Sequence, residues 1–388
     1  MRICMIVSND MLHDSRVDRH AAAFGMLGHE VTVVCSASTM SQVQFEHRKH
    51  YNILRVRSRR ALIARELFHA KRNGNILSDV QSSARIAFLI LLARIGLYLS
   101  AFRARADVYY SNDLDTLDIG VAMKLIGRRL IYDSHELYVE MLPVGTRRRI
   151  CALFERLVVN FADVILTVNP YIASELHRRY KTKKEVNVVL NCPDQPIGQV
   201  PTNSRLDDKR IVTVLYHGRL DHERGLENLV VASKMFHSHV RLLIRGEGEL
   251  EKRLRQLAQD SVNVHFEKSV PLERVVEAAS EADVGIIPYL ATNLNQFYCS
   301  PNKLFEFIQA GLAVAGSDLP FLRKIVKENN IGEVFNALDP ADIARKVNFV
   351  ASIKNLRKFK QEVLRVRDRY TWNVEREKLY EACRDLHL

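Results

Sequence analysis

At 388 residues the chain is long for a single hydrophobic core and suits two domains of ordinary size. Apolar residues make up 47% and charged residues 26%, which excludes a disordered, collagenous or low-complexity chain. The excess of 57 Lys and Arg over 45 Asp and Glu gives a formal charge of +12, a surface suited to nucleic acid, anionic lipid or nucleotide phosphates.

The opening MRICMIVSND reads as a strand rather than a secretory signal. Its apolar run is short and ends in polar residues with no cleavage signal. Strand RICMIVS is followed by a helix predicted over Ser15–Leu27, then Gly28 and strand EVTVVCS. Between Arg55 and Arg72 stand seven basic residues against Glu66 alone. The apolar ARIAFLILLARIGLYLSAF comes next. Its longest unbroken run, Ile86–Ala93, has eight residues, where a spanning helix needs about 20. The chain is therefore expected to be soluble or peripheral. DVYYSN leads to a helix over Leu114–Ile126, Gly127 and strand RLIYDS. TRRRI adds three more basic residues, and VILTV precedes a helix opened by Pro170.

PDQPIGQVPTNSRLDDK, with its prolines and polar residues, reads as an interdomain linker over 193–209. The alternation then restarts. IVTVLYHG is followed by helix Leu226–Phe236, strand VRLLIRG, helix Leu250–Gln259, strand VHF, helix Leu272–Ala282, strand DVGIIPY and the stretch SPNKLFEFIQAGLAVAGSD. Short apolar strands alternating with amphipathic helices indicate parallel sheets wrapped by helices. The expected fold is α/β, with two Rossmann-like doubly wound domains facing a cleft. The domains are 1–192 and 210–369. Ligands of such sheets bind beyond the carboxyl ends of the strands, so the loops there are where chemistry is sought.

Six scattered cysteines form no CxxC, and no His cluster has zinc-ligand spacing, so free thiols in a reducing compartment are expected and no metal site is. In YHGRLDHERGLENL, Gly218 and Arg219 follow a strand and Arg224 precedes a helix. Two guanidiniums so spaced can converge on a diphosphate, and two solvated arginines in a surface loop would look the same. Gly246 and Gly248 in IRGEGEL allow a tight turn and close approach of a ligand, and equally a plain strand-to-helix turn. In SPNKLFEFIQ, residues Asn302, Glu306 and Gln309 share one helix face with Lys303 beside them, while Leu304, Phe307 and Ile308 fill the other. Asn302, Lys303 and Glu306 then point together, away from the core. The helix start can receive phosphate, and the carboxylate of Glu306 can accept hydrogen bonds from ribose hydroxyls. A solvated helix face is the alternative.

Three loops of the first half follow strands: SNDMLHDSR (Ser8–Arg16), SNDLDTL (Ser111–Leu117) and DSHELYVE (Asp133–Glu140). A His and carboxylates at strand ends are candidates for protonation or hydroxyl binding.

In this order and spacing, HGRLDHERGLENLV, LLIRGEGEL, ADVGIIPY and SPNKLFEFIQAGLAVAGSDLP resemble the nucleotide-sugar-binding domain of retaining glycosyltransferases of the GT-B fold, family 4. DSRVDRHAAAFGMLGHEVTVV and YDSHELY resemble the acceptor domain of the same group, so the likeness covers essentially the whole chain. It implies transfer of a hexose from a nucleoside-diphosphate sugar, a UDP-sugar foremost, with retention at the anomeric carbon. Neither cofactor nor metal is implied, because the nucleotide sugar is a substrate. Arg219 matches the first cation of the family's diphosphate pair, and Arg224 stands where Lys is usual. Glu306 matches the ribose ligand. Tyr298 stands where the family has another glutamate, so Tyr298 and Cys299 are expected at the donor sugar. Ser300 and Asn302 join Gly218, Gly246, Gly248 and Lys303 around the nucleotide. The resemblance places His135 near the transferred sugar and Asp14, Arg16, Asp113 and Glu136 on the acceptor side. The catalytic set is then His135, Arg219, Arg224 and Glu306. YTWNVEREKLYEACRDL resembles the family's final helix, which puts residues 370–388 back on the first domain, with Trp372 marking the crossing.

The expected partners are the nucleotide sugar and a saccharide or lipid-linked acceptor, as in surface polysaccharide or glycolipid assembly. Arg55–Arg72 and the apolar helix around Ala84–Phe102 add an anionic membrane surface as a candidate contact, which places the chain in the cytoplasm or peripherally on the inner face. The alternative is a packed helix with solvated arginines. A sugar-nucleotide 2-epimerase on the same fold is the competing enzyme. A nucleic-acid binder is supported by charge alone, since no recognition helix, aromatic platform or zinc module is present.

Overall fold

A computed structural model describes residues 1–12, 14–37, 43–56, 91–194 and 211–388. Of the expected basic segment Arg55–Arg72, residues 57–72 lie outside the described residues, as do the apolar residues 84–90 and most of the linker, 195–209. Arg55 itself is no surface cation: it is 2% exposed and pairs with Glu46 at 2.7 Å. The chain divides into two compact units. One comprises Met1–Thr167, Ala173–Val188 and Lys378–Leu388; the other comprises Val168–Ile172 and Val189–Glu377.

The first unit is built on β1 (Arg2–Val7), β2 (Glu30–Ser36), β3 (Phe45–His47), β4 (Asn52–Val56), β5 (Val108–Asn112), β6 (Arg129–Ser134), β7 (Val164–Thr167) and β8 (Val186–Val188). Their order is β3-β4-β2-β1-β5-β6-β7-β8, parallel except for the β3–β4 pair. Ile3 pairs with Val31 on one side and Val108 on the other. These strands read as apolar runs because helices cover both faces of the sheet and leave β1, β5 and β6 almost wholly buried.

The second unit holds β9 (Val212–His217), β10 (Val240–Arg245), β11 (Val264–Glu267), β12 (Val284–Ile287), β13 (Ala313–Ser317) and β14 (Gly332–Phe335). The order β11-β10-β9-β12-β13-β14 is the doubly wound one, all parallel, with the chain direction across the sheet reversing between β9 and β12. The first sheet reverses likewise between β1 and β5. Each reversal opens a crevice at the carboxyl ends of its strands, and the candidate loops follow those strands.

Helices Ser15–Met26 and Leu114–Leu125 lie where the periodicity puts them, and Leu226–Ser233 ends three residues short of the expected Phe236. The helix expected over Leu272–Ala282 shortens to Val275–Ala279 behind a tight 3₁₀ turn over Leu272–Arg274. In the helical stretch 91–103, Leu97 and Ala101 join the core, while Leu91, Ile95, Leu99 and Phe102 are exposed. Among the described residues no helix is long and apolar enough to cross a membrane.

The unit boundaries differ from 1–192 and 370–388. Val168–Ile172 clusters with the second unit because Asn169 donates to the Tyr298 carbonyl at 2.7 Å and Tyr171 stacks on the Tyr298 ring at 5.9 Å. The final helix, Trp372–Cys383, changes unit at Lys378 rather than at its start. Its first turn is held by Trp372 N to the Pro193 carbonyl at 2.9 Å and by Glu375 accepting from Leu190 N at 2.8 Å. Its end is held in the first unit by Tyr380, whose hydroxyl donates to the Ala23 carbonyl at 2.9 Å.

Candidate functional site

In the second unit, β9 ends in Tyr216-His217 and turns through Gly218, whose φ of +120° few side-chain-bearing residues adopt. A Cβ on Gly218 would lie 3.3 Å from the Nζ of Lys303, and one on Gly246 would lie 1.9 Å from the Gly218 carbonyl oxygen. The two glycines thus let the loops after β9 and β10 close on each other and on Lys303. Gly248 packs as tightly, with its Cβ position 2.4 Å from the Leu220 carbonyl oxygen.

Helix Asn302–Gln309 follows Pro301, with Leu304, Phe307 and Ile308 fully buried as expected. Lys303 corrects the expectation that it faces away from the core: it is 7% exposed. Its Nζ lies 4.0 Å from the centroid of the Tyr216 ring and 4.8 Å from that of Tyr289. Burial and the nearby Arg224 guanidinium hold this ammonium well below the usual lysine range, against the pull of Glu306 and Asp221. The cause is tertiary, since β9 and the segment after β12 supply the two rings. Gln309 is also buried and structural, donating to the carbonyls of Arg367 at 2.8 Å and Tyr370 at 2.9 Å. Asn302 is exposed at the helix start, and the Ser300 hydroxyl just before it is buried with no hydrogen-bond partner among the described residues.

Arg224 sits over the Tyr289 ring at 4.2 Å, with its Nε 3.2 Å from Asp221. Arg219 is 84% exposed at its side chain and stands 3.9 Å from Asp221. Arg224 is thereby ordered, and Arg219 is a solvated arm. One residue that sequence reasoning missed stands at the centre: His217, whose Nε2 lies 2.9 Å from Glu306 Oε2 and whose ring stacks on Phe307 at 4.7 Å. Its signal was a histidine ending an otherwise apolar strand. Tyr298 and Cys299 follow the short helix Leu294–Phe297 and are half-buried; Asn169 and Tyr171, also missed, hold the Tyr298 backbone and ring.

The first unit gathers a second polar cluster at the ends of β5 and β6. His135 lies 3.4 Å from Asp113 by Nδ1 and 3.3 Å from Asp133 by Nε2, and its backbone N–H donates to Asp113 at 2.8 Å. Burial opposes charge on the imidazole, but the two carboxylates hold it up at about 9. Burial pushes the Asp113 carboxyl up to about 7, partly offset by His135. Asp113 has φ 61° and ψ 169°, a strained backbone for a residue with a side chain. Its amide donates to the Asp133 carbonyl at 2.9 Å, which fixes the strained turn.

Asp133 is fully buried and receives a forked pair from Arg16 at 2.9 and 2.8 Å and the Tyr110 hydroxyl at 2.7 Å. Burial works against its charge, yet Arg16 and His135 hold it well below the usual carboxylate range. Arg16 therefore does not line an acceptor surface. It is 3% exposed and spends its guanidinium on Asp133. Asp14 caps helix Ser15–Met26 through Val17 N at 3.1 Å and accepts from Asn9 at 2.6 Å. Glu136 is exposed. Asp115, from the same SNDLDTL loop, joins the cluster, with burial raising its carboxyl.

Two family descriptions match the chain: the glycosyl transferase 4-like domain over residues 14–192 and glycosyl transferases group 1 over residues 211–352. The phosphatidyl-myo-inositol mannosyltransferase of Mycobacterium tuberculosis H37Rv is 26% identical over 229 residues, 52% of this chain and 55% of that protein. The chain spans about half the length of the curated relatives it matches. Sucrose-phosphate synthase from Thermosynechococcus elongatus superimposes with a TM-score of 0.70 at 16% identity, covering 100% of this chain and 99% of its own. The HepE protein of Anabaena, solved in complex with UDP and glucose, does so with 0.69 at 12% identity, covering 99% of this chain and 100% of its own. At such identities the likeness is one of fold. With both sheets in the doubly wound order and the two halves matched to the two domains of one group, the chain belongs to the GT-B glycosyltransferases of the family 4 type.

Proposed function

We propose that the chain is a retaining glycosyltransferase that moves a hexose-type sugar from a nucleoside-diphosphate sugar, a UDP-sugar foremost, to an acceptor hydroxyl. The observation that carries this reading is Lys303: an ammonium buried between two tyrosine rings, beside the Gly218 turn, with the Glu306 carboxylate one helical turn further. A buried cation disfavoured by its surroundings is well suited to an anionic ligand, which would restore its charge. In this reading Lys303, Arg224, Arg219 and the helix start at Asn302 stabilise the departing diphosphate. Ser300, Gly246 and Gly248 border the nucleotide, and Glu306, held by His217, accepts from the ribose hydroxyls. Tyr298 and Cys299 meet the donor sugar. The positive charge for the leaving group comes from side chains, and the reading invokes no cofactor or metal.

As the anomeric carbon–phosphate oxygen bond breaks, the bond to the acceptor oxygen forms on the same face. The acceptor proton passes to the leaving phosphate oxygen, and no covalent enzyme intermediate forms. His135, kept cationic by Asp113 and Asp133, assists at the transferred sugar. Asp113, Glu136 and Asp14 serve the acceptor side. UDP is favoured by the HepE structure named above and by the trehalose-6-phosphate protein of E. coli solved with UDP-2-fluoro glucose. The acceptor is proposed to be a growing surface polysaccharide or a glycolipid on the cytoplasmic membrane face.

A thermal-shift screen against UDP, GDP, ADP and CMP tests the donor assignment. UDP is expected to raise the melting temperature most, and a flat response to all four overturns it. Incubation with the preferred nucleotide sugar and no acceptor separates transfer from epimerisation, since an epimerised donor would reverse the reading.

A further inference from the structure

Helix Thr146–Val158 follows the candidate loop after β6 and carries an apolar face that is exposed among the described residues. Ile150, Leu153 and Leu157 are 62%, 58% and 64% exposed, and Val144, just before the helix, is 89% exposed. Met141 before the helix and Phe161 after it are exposed as well. On a helix of 3.6 residues per turn, Ile150, Leu153 and Leu157 fall within about 60° of one another. Arg147 lies about 60° to one side, and Arg149 and Arg156 about 40–60° to the other. All three arginines are exposed. The one acid of the helix, Glu155, is buried about opposite this face, held by the hydroxyls of Tyr132 at 2.7 Å and Tyr180 at 2.6 Å. Arg148, on the same inner side, pairs with Glu140, which also takes Arg179 at 2.7 Å. The helix is thus bolted down by its polar inner side and shows solvent an apolar stripe rimmed by cations.

We infer that this face is an interfacial membrane anchor that lies on an anionic lipid surface, its leucines and isoleucine among the acyl chains and its arginines at the phosphates. The inference rests on the proposed membrane-bound acceptor and names a place for the contact different from the basic segment 55–72. Charge decides the occupant. A second copy meeting this face across a two-fold axis would set arginines against arginines with no exposed acid of the helix to answer them. A bilayer surface supplies apolar depth and negative charge together, and arginine stems reach from one to the other. The tie from Glu155 to Tyr132 of β6 places the anchor on the strand that carries Asp133 and leads directly into His135.

Flotation of the full chain with vesicles of phosphatidylcholine, with and without phosphatidylglycerol, tests this. Wild type is expected to float with the anionic vesicles only and to be released by salt at about 0.5 M. Leu153→Ser/Leu157→Ser is expected to weaken the partition at least about tenfold. Arg149→Gln/Arg156→Gln is expected to weaken it about 25-fold, at about fivefold per arginine. Both variants change exposed residues, so melting curves and the UDP response should stay at wild type. Wild-type flotation with undiminished flotation of both variants overturns the anchor and leaves the membrane reading standing. No flotation of wild type overturns both. If the non-floating wild type is instead a dimer that Leu153→Ser/Leu157→Ser converts to monomer, the face belongs to a second copy.

Discussion

His217 and Glu306 lie 2.9 Å apart, Nε2 to Oε2, joining the last residue of β9 to the second turn of helix Asn302–Gln309. The stack of His217 on Phe307 at 4.7 Å sets the plane from which the ring meets the carboxylate. Glu306→Ala removes the proposed ribose acceptor, and UDP affinity measured by calorimetry should fall about 10–100-fold, the worth of one or two hydrogen bonds to a charged group. His217→Ala leaves the carboxylate in place without this partner and should cost about tenfold. Wild-type affinity in Glu306→Ala would remove the ribose assignment.

Lys303 bears on stability and binding in opposite senses. Its charged form is disfavoured by burial, so the free protein bears a cost at neutral pH that an apolar side chain of similar length does not. Lys303→Met should keep or raise the melting temperature of the free protein. It should also abolish the stabilisation that UDP or inorganic pyrophosphate gives the wild type. Retention of that stabilisation would take Lys303 away from the phosphates.

The pair His135 and Asp113 predicts a pH dependence. Both groups have folded values raised above their unfolded ones, to about 9 and about 7. For each, the contribution to stability is complete below the unfolded value and is lost as pH rises through the folded one. The histidine contribution is therefore present below about 6.5 and gone above about 9. Lys303, its value lowered by burial, titrates in the opposite sense over this window, so the histidine contribution is read by difference. Between pH 6 and pH 9.5, urea unfolding should show the wild type losing up to about 3 kcal/mol more than His135→Gln, and equal slopes in the two would show that the ring is not held cationic.

Gly218→Ala should destabilise by about 1–3 kcal/mol, because its φ of +120° disfavours any side chain and the new methyl would crowd Lys303 Nζ at 3.3 Å. Gly246→Ala should cost more, since its methyl would lie 1.9 Å from a backbone oxygen that cannot swing away. Equilibrium denaturation of both variants ranks them, and the reverse order would contradict this account of the turn.

The alternation of strands and helices was legible because each parallel strand is buried on both faces and so spells out its own length in apolar residues, as β9 does from Val212 to His217. The loops that carry the polar residues were legible too, since they must follow those strands. What each polar side chain does there was less so. Arg16 looked like a surface cation, but it closes on Asp133 from 117 residues away. Lys303 shares a helix start with exposed Asn302, and helical period cannot say which of two neighbours will be roofed by aromatic rings. His217 showed only as a histidine ending an otherwise apolar strand, and it acquires a role when Glu306 is folded against it.

The sequence by itself determined the two doubly wound sheets, the position of the loops and the chemical inventory in them, because local period and burial on both faces of a sheet are written residue by residue. Only the tertiary structure decided which charges are solvated arms, which are buried, and which partner each one takes. Arg219 stays in water, while Lys303, Asp133 and Glu155 are closed in by distant side chains. That difference follows from desolvation and pairing, which depend on what surrounds a group in space and not on its neighbours along the chain.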